Sequence, residues 1–144
     1  MKLTFSKLAG AGNDFIVFDN RASKISALPK LAQKLCDRKN GIGGDGLITL
    51  ERSKKADIRM LIINPDGSEA EMCGNGTRCV ARFVHNLPGR KSDKLSIETL
   101  AGILEARVNG ASITVRMTEP KELRPGMRVR LGGKWLCSRP AAIC

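Results

Sequence analysis

Aromatic side chains are scarce in this 144-residue chain, with four Phe, one Trp and no Tyr. Proteins that stack unpaired bases need several rings, so no nucleic-acid partner is expected. Histidine is nearly absent, His85 being the only one, and the five cysteines (Cys36, Cys73, Cys79, Cys137, Cys144) form no CxxC pair. Zinc sites want close thiol or imidazole pairs, so no metal is expected. A disulfide framework is equally unexpected without an export signal. No run approaches the roughly 18 apolar residues of a membrane span. The opening MKLTFSKLAGAGNDF holds no apolar block of secretory type, which points to a cytoplasmic chain with no membrane partner. No Gly-Lys-Ser/Thr follows a glycine loop, so a nucleoside triphosphate site is not indicated.

What is present fits one folded domain: 42% of residues are apolar and 27% charged. Net charge is +11 and uneven, +3 over residues 1–72 and +8 over 73–144. Residues 121–144 alone carry 6 basic residues and 1 acidic. A solvated basic tail accounts for that excess better than a continuous nucleic-acid stripe. Residues 1–120 are therefore expected to form the domain, and 121–144 a tail containing Pro and Gly.

Leu3 and Phe5 share one face of a short alternating stretch, and Phe15–Phe18 reads as a buried strand. Leu28, Leu31, Ala32, Leu35 and Cys36 recur at helical spacing within 27–38, with Pro29 near the start. Strands are expected at 47–51 and 57–64. Ser68 to Met72 can pair back across the turn Asn64-Pro65-Asp66-Gly67. Further strands fall at 95–99, 102–108 and 113–117, the last two joined by Asn109-Gly110. A helix follows Gly74, apolar on most sides and therefore central and buried. The fold class is α+β, with a largely antiparallel sheet.

Two glycine motifs compete for a functional reading. Gly41-Ile42-Gly43-Gly44-Asp45-Gly46 spells GxGxxG, but a helix enters it and a strand leaves. Dinucleotide sites need the reverse, so a tight backbone turn is expected instead. Glu69-Ala70-Glu71-Met72-Cys73-Gly74-Asn75-Gly76-Thr77-Arg78 is the stronger signal. It places Cys73 at the start of the buried helix, where unpaired N–H groups and the helix dipole favour a thiolate. Gly74 and Gly76 remove bulk, so that a ligand carboxylate can meet the Gly74 and Asn75 amides. Cys79, about 240° further round the helix, and Cys36, on an apolar stripe, read as core.

Three stretches resemble the diaminopimelate epimerase family: Gly10–Phe15, Arg38–Gly46 and Ile63–Cys79. The likeness runs from Met1 to about Pro120. It implies a pyridoxal-phosphate-independent, cofactor-free isomerase that interconverts LL- and meso-diaminopimelate, with a tendency to form a homodimer. It implies two similar halves, each a curled, mostly antiparallel mixed sheet around a central helix. It also implies two cysteines working from opposite faces of the substrate. On this likeness Cys73 is the first catalytic cysteine, Gly74 and Asn75 form the carboxylate turn, and Asn13 and Asn64 hold polar ends of the substrate. Asn64 is also good turn chemistry in its own right.

The sequence departs from the family pattern in places. Gly46 stands where many members have Gln, and Thr118 where Gly is common. The second Cys-Gly-Thr/Ser-Gly turn and its Glu-Arg pair have no match at Cys137-Ser138-Arg139 or Cys144. Little epimerisation is therefore expected of these 144 residues alone. A proline-racemase-like or phenazine-type isomerase, and a non-enzymatic module using the basic tail, are the alternatives.

Overall fold

The computed structural model describes residues 3–89, 92–117 and 128–137. Its elements run β1 (Ser6–Gly10), β2 (Asn13–Asp19), α1 (Leu28–Cys36), β3 (Gly46–Glu51), β4 (Ile58–Ile63), β5 (Glu69–Ala70) and α2 (Gly74–His85). Then come β6 (Lys94–Thr99), β7 (Gly102–Asn109), β8 (Ser112–Arg116), β9 (Arg128–Leu131) and β10 (Lys134–Cys137). One mixed sheet has the order β1-β2-β3-β4-β6-β7-β8, with β5 paired to β4. β2–β3 and β4–β6 are parallel and the remaining pairs antiparallel. This is the expected α+β class, a mixed sheet curled around α2.

The central strands are apolar without alternation because both of their faces are covered. Phe15, Val17, Ile48, Leu50, Met60 and Ile62 pack with Val80, Ala81 and Val84 of α2. Ile16, Phe18, Leu47 and Ile63 point the other way, onto Ala32 and Cys36 of α1. Strands β6 and β7 do alternate, sending Leu95, Ile97, Leu104, Ala106 and Val108 inward. Each such fully buried branched or aromatic side chain contributes about 1.5–3 kcal/mol. Among the described residues no helix is long and apolar enough to cross a membrane.

Four local readings need correction. β1 begins at Ser6, beyond Leu3 and Phe5, because its partner β2 ends its pairing at Val17 opposite Ser6. The β7–β8 loop is Gly110-Ala111, since Asn109 pairs with Ser112. That register puts Val108 opposite Ile113 in the core, and cross-strand branched pairs outweigh the local Asn-Gly preference. Pairing after the Asn64 turn stops at Ala70, as the chain must rise to start α2. Residues 128–137 form the antiparallel hairpin β9–β10, closed by Gly132 and Gly133 at φ +56° and +79°. Composition alone suggested only a tail there. Thr118 and the remainder of 121–144 lie outside the described residues.

The turn at Asn64 behaves as its residues dictate. The Gly67 N–H donates to the Asn64 carbonyl (2.9 Å), the Asn64 N–H donates to the Ser68 carbonyl (2.8 Å), and Gly67 has φ +90°. This is a three-residue hairpin loop with glycine at the left-handed position.

Candidate active site

Cys73 is extended (φ −143°, ψ 117°) and caps α2. Its Sγ accepts from the Gly76 N–H at 3.4 Å, and its carbonyl accepts from both the N–H and the Oγ–H of Thr77 at 2.8 Å. The first amides of a helix have no acceptor within it, and those of Gly74 and Asn75 remain open among the described residues. Cys73 is half-buried, whereas Cys36 and Cys79 are buried. Burial pushes both of those thiols up, away from thiolate chemistry. The side chains of Cys137 and Cys144 lie outside the described residues. Among those described, one thiol stands at the positive end of the central helix, reachable and next to two free N–H groups.

The two glycines of this turn do different work. The nearest atoms to a Cβ on Gly74 would be the flexible end of Met117 at 3.3 Å and the Arg78 guanidinium at 3.6 Å, both side-chain ends that can move, and Gly74 itself is half-buried. A Cβ on Gly76 would meet Ile48 Cδ1 at 3.1 Å. Gly76 is buried, and its small size serves helix-on-sheet packing rather than ligand access, which corrects the sequence reading. Gly10 plays the same part from β1, where a Cβ would lie 3.0 Å from Cys79 Sγ.

Of the asparagines, Asn13 and Asn75 are brought together. Asn75 Nδ2 donates to Asn13 Oδ1 at 2.8 Å across 62 residues of sequence. Asn64 follows β4 two residues beyond Ile62, which puts it on the α2 side of the strand by the two-residue period. Its Nδ2 donates to Ser68 Oγ at 3.0 Å, and it makes no bond to the Asn13–Asn75 pair.

The GxGxxG stretch is a helix terminus, not a phosphate loop. The amides of Gly41, Ile42, Gly43 and Gly44 donate to the carbonyls of Asp37, Leu35, Leu35 and Cys36, satisfying the last turn of α1. Asp45 then reaches back to β2, where its carboxylate accepts from Asn13 Nδ2 (3.0 Å), the Asp14 N–H (3.1 Å) and Arg38 Nη2 (2.7 Å). Arg38 and Lys7 both pair with Asp14, at 2.7 and 2.8 Å, and Lys7 also donates to the Gly43 carbonyl. Sequence reading singled out none of Lys7, Asp14, Arg38, Asp45 or Arg78. Four of them lie inside the matched stretches, and that was the only available signal.

Electrostatics in this cluster follow from its partners. Hydrogen bonds from Arg38, then Lys7, hold the Asp14 carboxyl well below the usual carboxylate range. Hydrogen bonds from Asn13, then the Asp14 amide, lower Asp45. Depressed carboxyls stabilise the fold above their ordinary pKa of about 3.9 and lose that contribution as pH falls below it. Urea unfolding is therefore expected to show stability falling as the pH drops below about 4, less steeply in Asp14→Asn. Equal acid sensitivity of the two proteins would remove Asp14 as its source.

A cavity of about 730 Å³ lies elsewhere, over β6–β8, lined by Lys94, Ser96, Glu105, Arg107 and Arg116 among others. Its charges are mixed, and its lining includes neither Cys73 nor the Gly74-Asn75 turn.

The diaminopimelate epimerase family model matches residues 5–123. The chain belongs to that family. The diaminopimelate epimerase of Pelotomaculum thermopropionicum is 46% identical over 126 residues, covering 81% of this chain and 44% of that protein. Diaminopimelate epimerase 1 of Nostoc sp. is 45% identical over 137 residues, covering 92% of this chain and 49% of that protein. The chain thus spans less than half the length of the curated relatives it matches. Among solved structures, a hydroxyproline epimerase from Agrobacterium vitis superposes with a TM-score of 0.63 at 16% identity, over 91% of this chain and 46% of that one. A phenazine biosynthesis protein of the PhzF family from Bacillus anthracis superposes at 0.55 with 26% identity, over 80% and 40%. These two neighbours share the fold of this chain over the aligned part.

Proposed function

We propose that this chain supplies one half of a diaminopimelate epimerase site, with Cys73 as one of two thiols that exchange the α-proton. The observation that supports it most directly is the half-buried Cys73 Sγ on a helix tip whose Gly74 and Asn75 amides are open. A carboxylate held by those amides is stabilised as negative charge develops at the neighbouring carbon. A thiolate at Cys73 removes the α-proton and becomes the thiol. A second thiol on the far side delivers its own proton to that carbon, inverting it, so one proton leaves and one arrives. A single base can only return the proton to the face it left. Asn13, Asn64, Gly74 and Asn75 are assigned to substrate binding on the same reading.

The test is proton NMR of LL-diaminopimelate in D2O. The 144-residue chain alone is expected to give no stereoinversion. Addition of a polypeptide carrying an opposing Cys-Gly-Thr/Ser-Gly turn is expected to produce meso product with deuterium at the inverted carbon. Sustained inversion by the chain alone would overturn the requirement for a second thiol. Turnover of proline or hydroxyproline in preference to diaminopimelate would overturn the substrate.

A further inference from the structure

Two asparagine amides at the helix tip are joined in a directed chain whose ends carry opposite charge. Arg78 Nη1 donates to Asn75 Oδ1 (3.0 Å), Asn75 Nδ2 donates to Asn13 Oδ1 (2.8 Å), and Asn13 Nδ2 donates to Asp45 Oδ2 (3.0 Å). A guanidinium can only donate and an ionised carboxylate can only accept, whereas an amide does either when turned by 180°. Turning Asn75 alone sets N–H against the Arg78 N–H and oxygen against Asn13 oxygen. Turning Asn13 alone sets N–H against N–H and oxygen against the Asp45 carboxylate. Turning both clashes at both charged ends. One arrangement of four satisfies every contact, and leaving a part-buried polar contact unmade is costly.

From this geometry we infer that Arg78 and Asp45 are positioning residues that fix which way the Asn75 and Asn13 amides face. Neither need touch a substrate. Each amide keeps one N–H beyond the one used in the chain, on side chains joined to the helix start where the Gly74 and Asn75 backbone amides are open. The tip is thereby held as a set of N–H groups suited to a carboxylate. That last consequence rests on the substrate reading above; the polarity of the chain does not. Asp45 is itself held by the Asp14 N–H and Arg38, so the accepting end is anchored independently of any ligand.

Because either charged end is sufficient to orient both amides, the two ends must act non-additively although they share no contact. The experiment is side-chain amide NMR of the 15N-labelled 144-residue chain. The native chain, Asp45→Ala and Arg78→Met are each expected to show one set of Asn13 and Asn75 Nδ2 signals; alanine is needed at 45 because an amide there would keep its oxygen on the Asp14 N–H and still accept from Asn13. The double variant Asp45→Ala/Arg78→Met is expected to show doubled or exchange-broadened signals, with Asp45→Ala/Arg78→Gln as a second double variant should the first not fold. Asp45→Ala/Arg78→Lys retains a donor-only end and is expected to restore the single set. A single native-like set in a folded double variant that lacks a charged end would overturn the proposal, as would failure of lysine to restore it. Titration with diaminopimelate is then expected to shift the Asn75 backbone amide more in the native and lysine proteins than in the double variants lacking a charged end. No shift in any protein would count against the substrate reading alone, since amide polarity is decided by the first comparison.

Discussion

Replacing Cys73 with serine is expected to lower α-proton exchange by about 10³-fold or more, once a segment supplying the opposing thiol is present. Positioned acid–base groups contribute roughly 10²–10⁴-fold, and a serine hydroxyl is far too weak an acid to exist as the base near neutrality. Serine is the informative choice because Cys73 has a second role. Its Sγ accepts from the Gly76 N–H and so caps α2. Serine is among the best N-caps, while alanine would lose about 1 kcal/mol at this position. Cys73→Ser therefore keeps the helix start and removes only the chemistry. Cys73→Ala removes both, and its melting temperature should fall while that of the serine variant holds. Retention of native exchange by a folded Cys73→Ser protein would eliminate Cys73 as the proton carrier.

The largest effect on stability is expected at Gly41, far from any proton. An alanine Cβ there would stand 2.4 Å from the Lys34 carbonyl oxygen, 2.7 Å from that of Leu35 and 2.8 Å from that of Asp37. All three are backbone atoms of the α1 terminus and cannot rotate aside. The loop would have to move, and its amides bond the carbonyls of Leu35, Cys36 and Asp37. Overpacking and the loss of one or two such bonds together amount to about 3 kcal/mol, or a drop in melting temperature of roughly 10 °C for a domain of this size. Gly12→Ala is the matched control. Gly12 has φ +92° but nothing within 4 Å of its Cβ position, so only local strain of about 1–2 kcal/mol applies. A Gly41→Ala protein as stable as the native chain would show that the loop tolerates a side chain. The reason for glycine there would then have to be sought in a ligand. Because Asp45 leaves this same loop to hold Asn13, a displaced loop should also disturb the helix tip.

Much of this molecule can be read directly from its residues. The period of Leu28 to Cys36 places α1, and the apolar character of Val80, Ala81 and Val84 places α2 at the centre. The position of Cys73 ahead of that helix follows from Gly74 and the strand before it. These are short-range facts, set by spacing along the chain, and so they survive without knowledge of the fold. The β7–β8 loop was misread because its register is settled by the Val108–Ile113 contact in the core rather than by Asn109-Gly110. The role of Gly76 was misread because Ile48 approaches it from a strand 28 residues earlier. Only the folded arrangement discloses the chain of bonds from Arg78 through Asn75 and Asn13 to Asp45. Sequence periodicity says which face a residue occupies, but hydrogen bonds at the helix tip depend on β2 and the loop between α1 and β3 arriving at the start of α2, and no local pattern records that convergence.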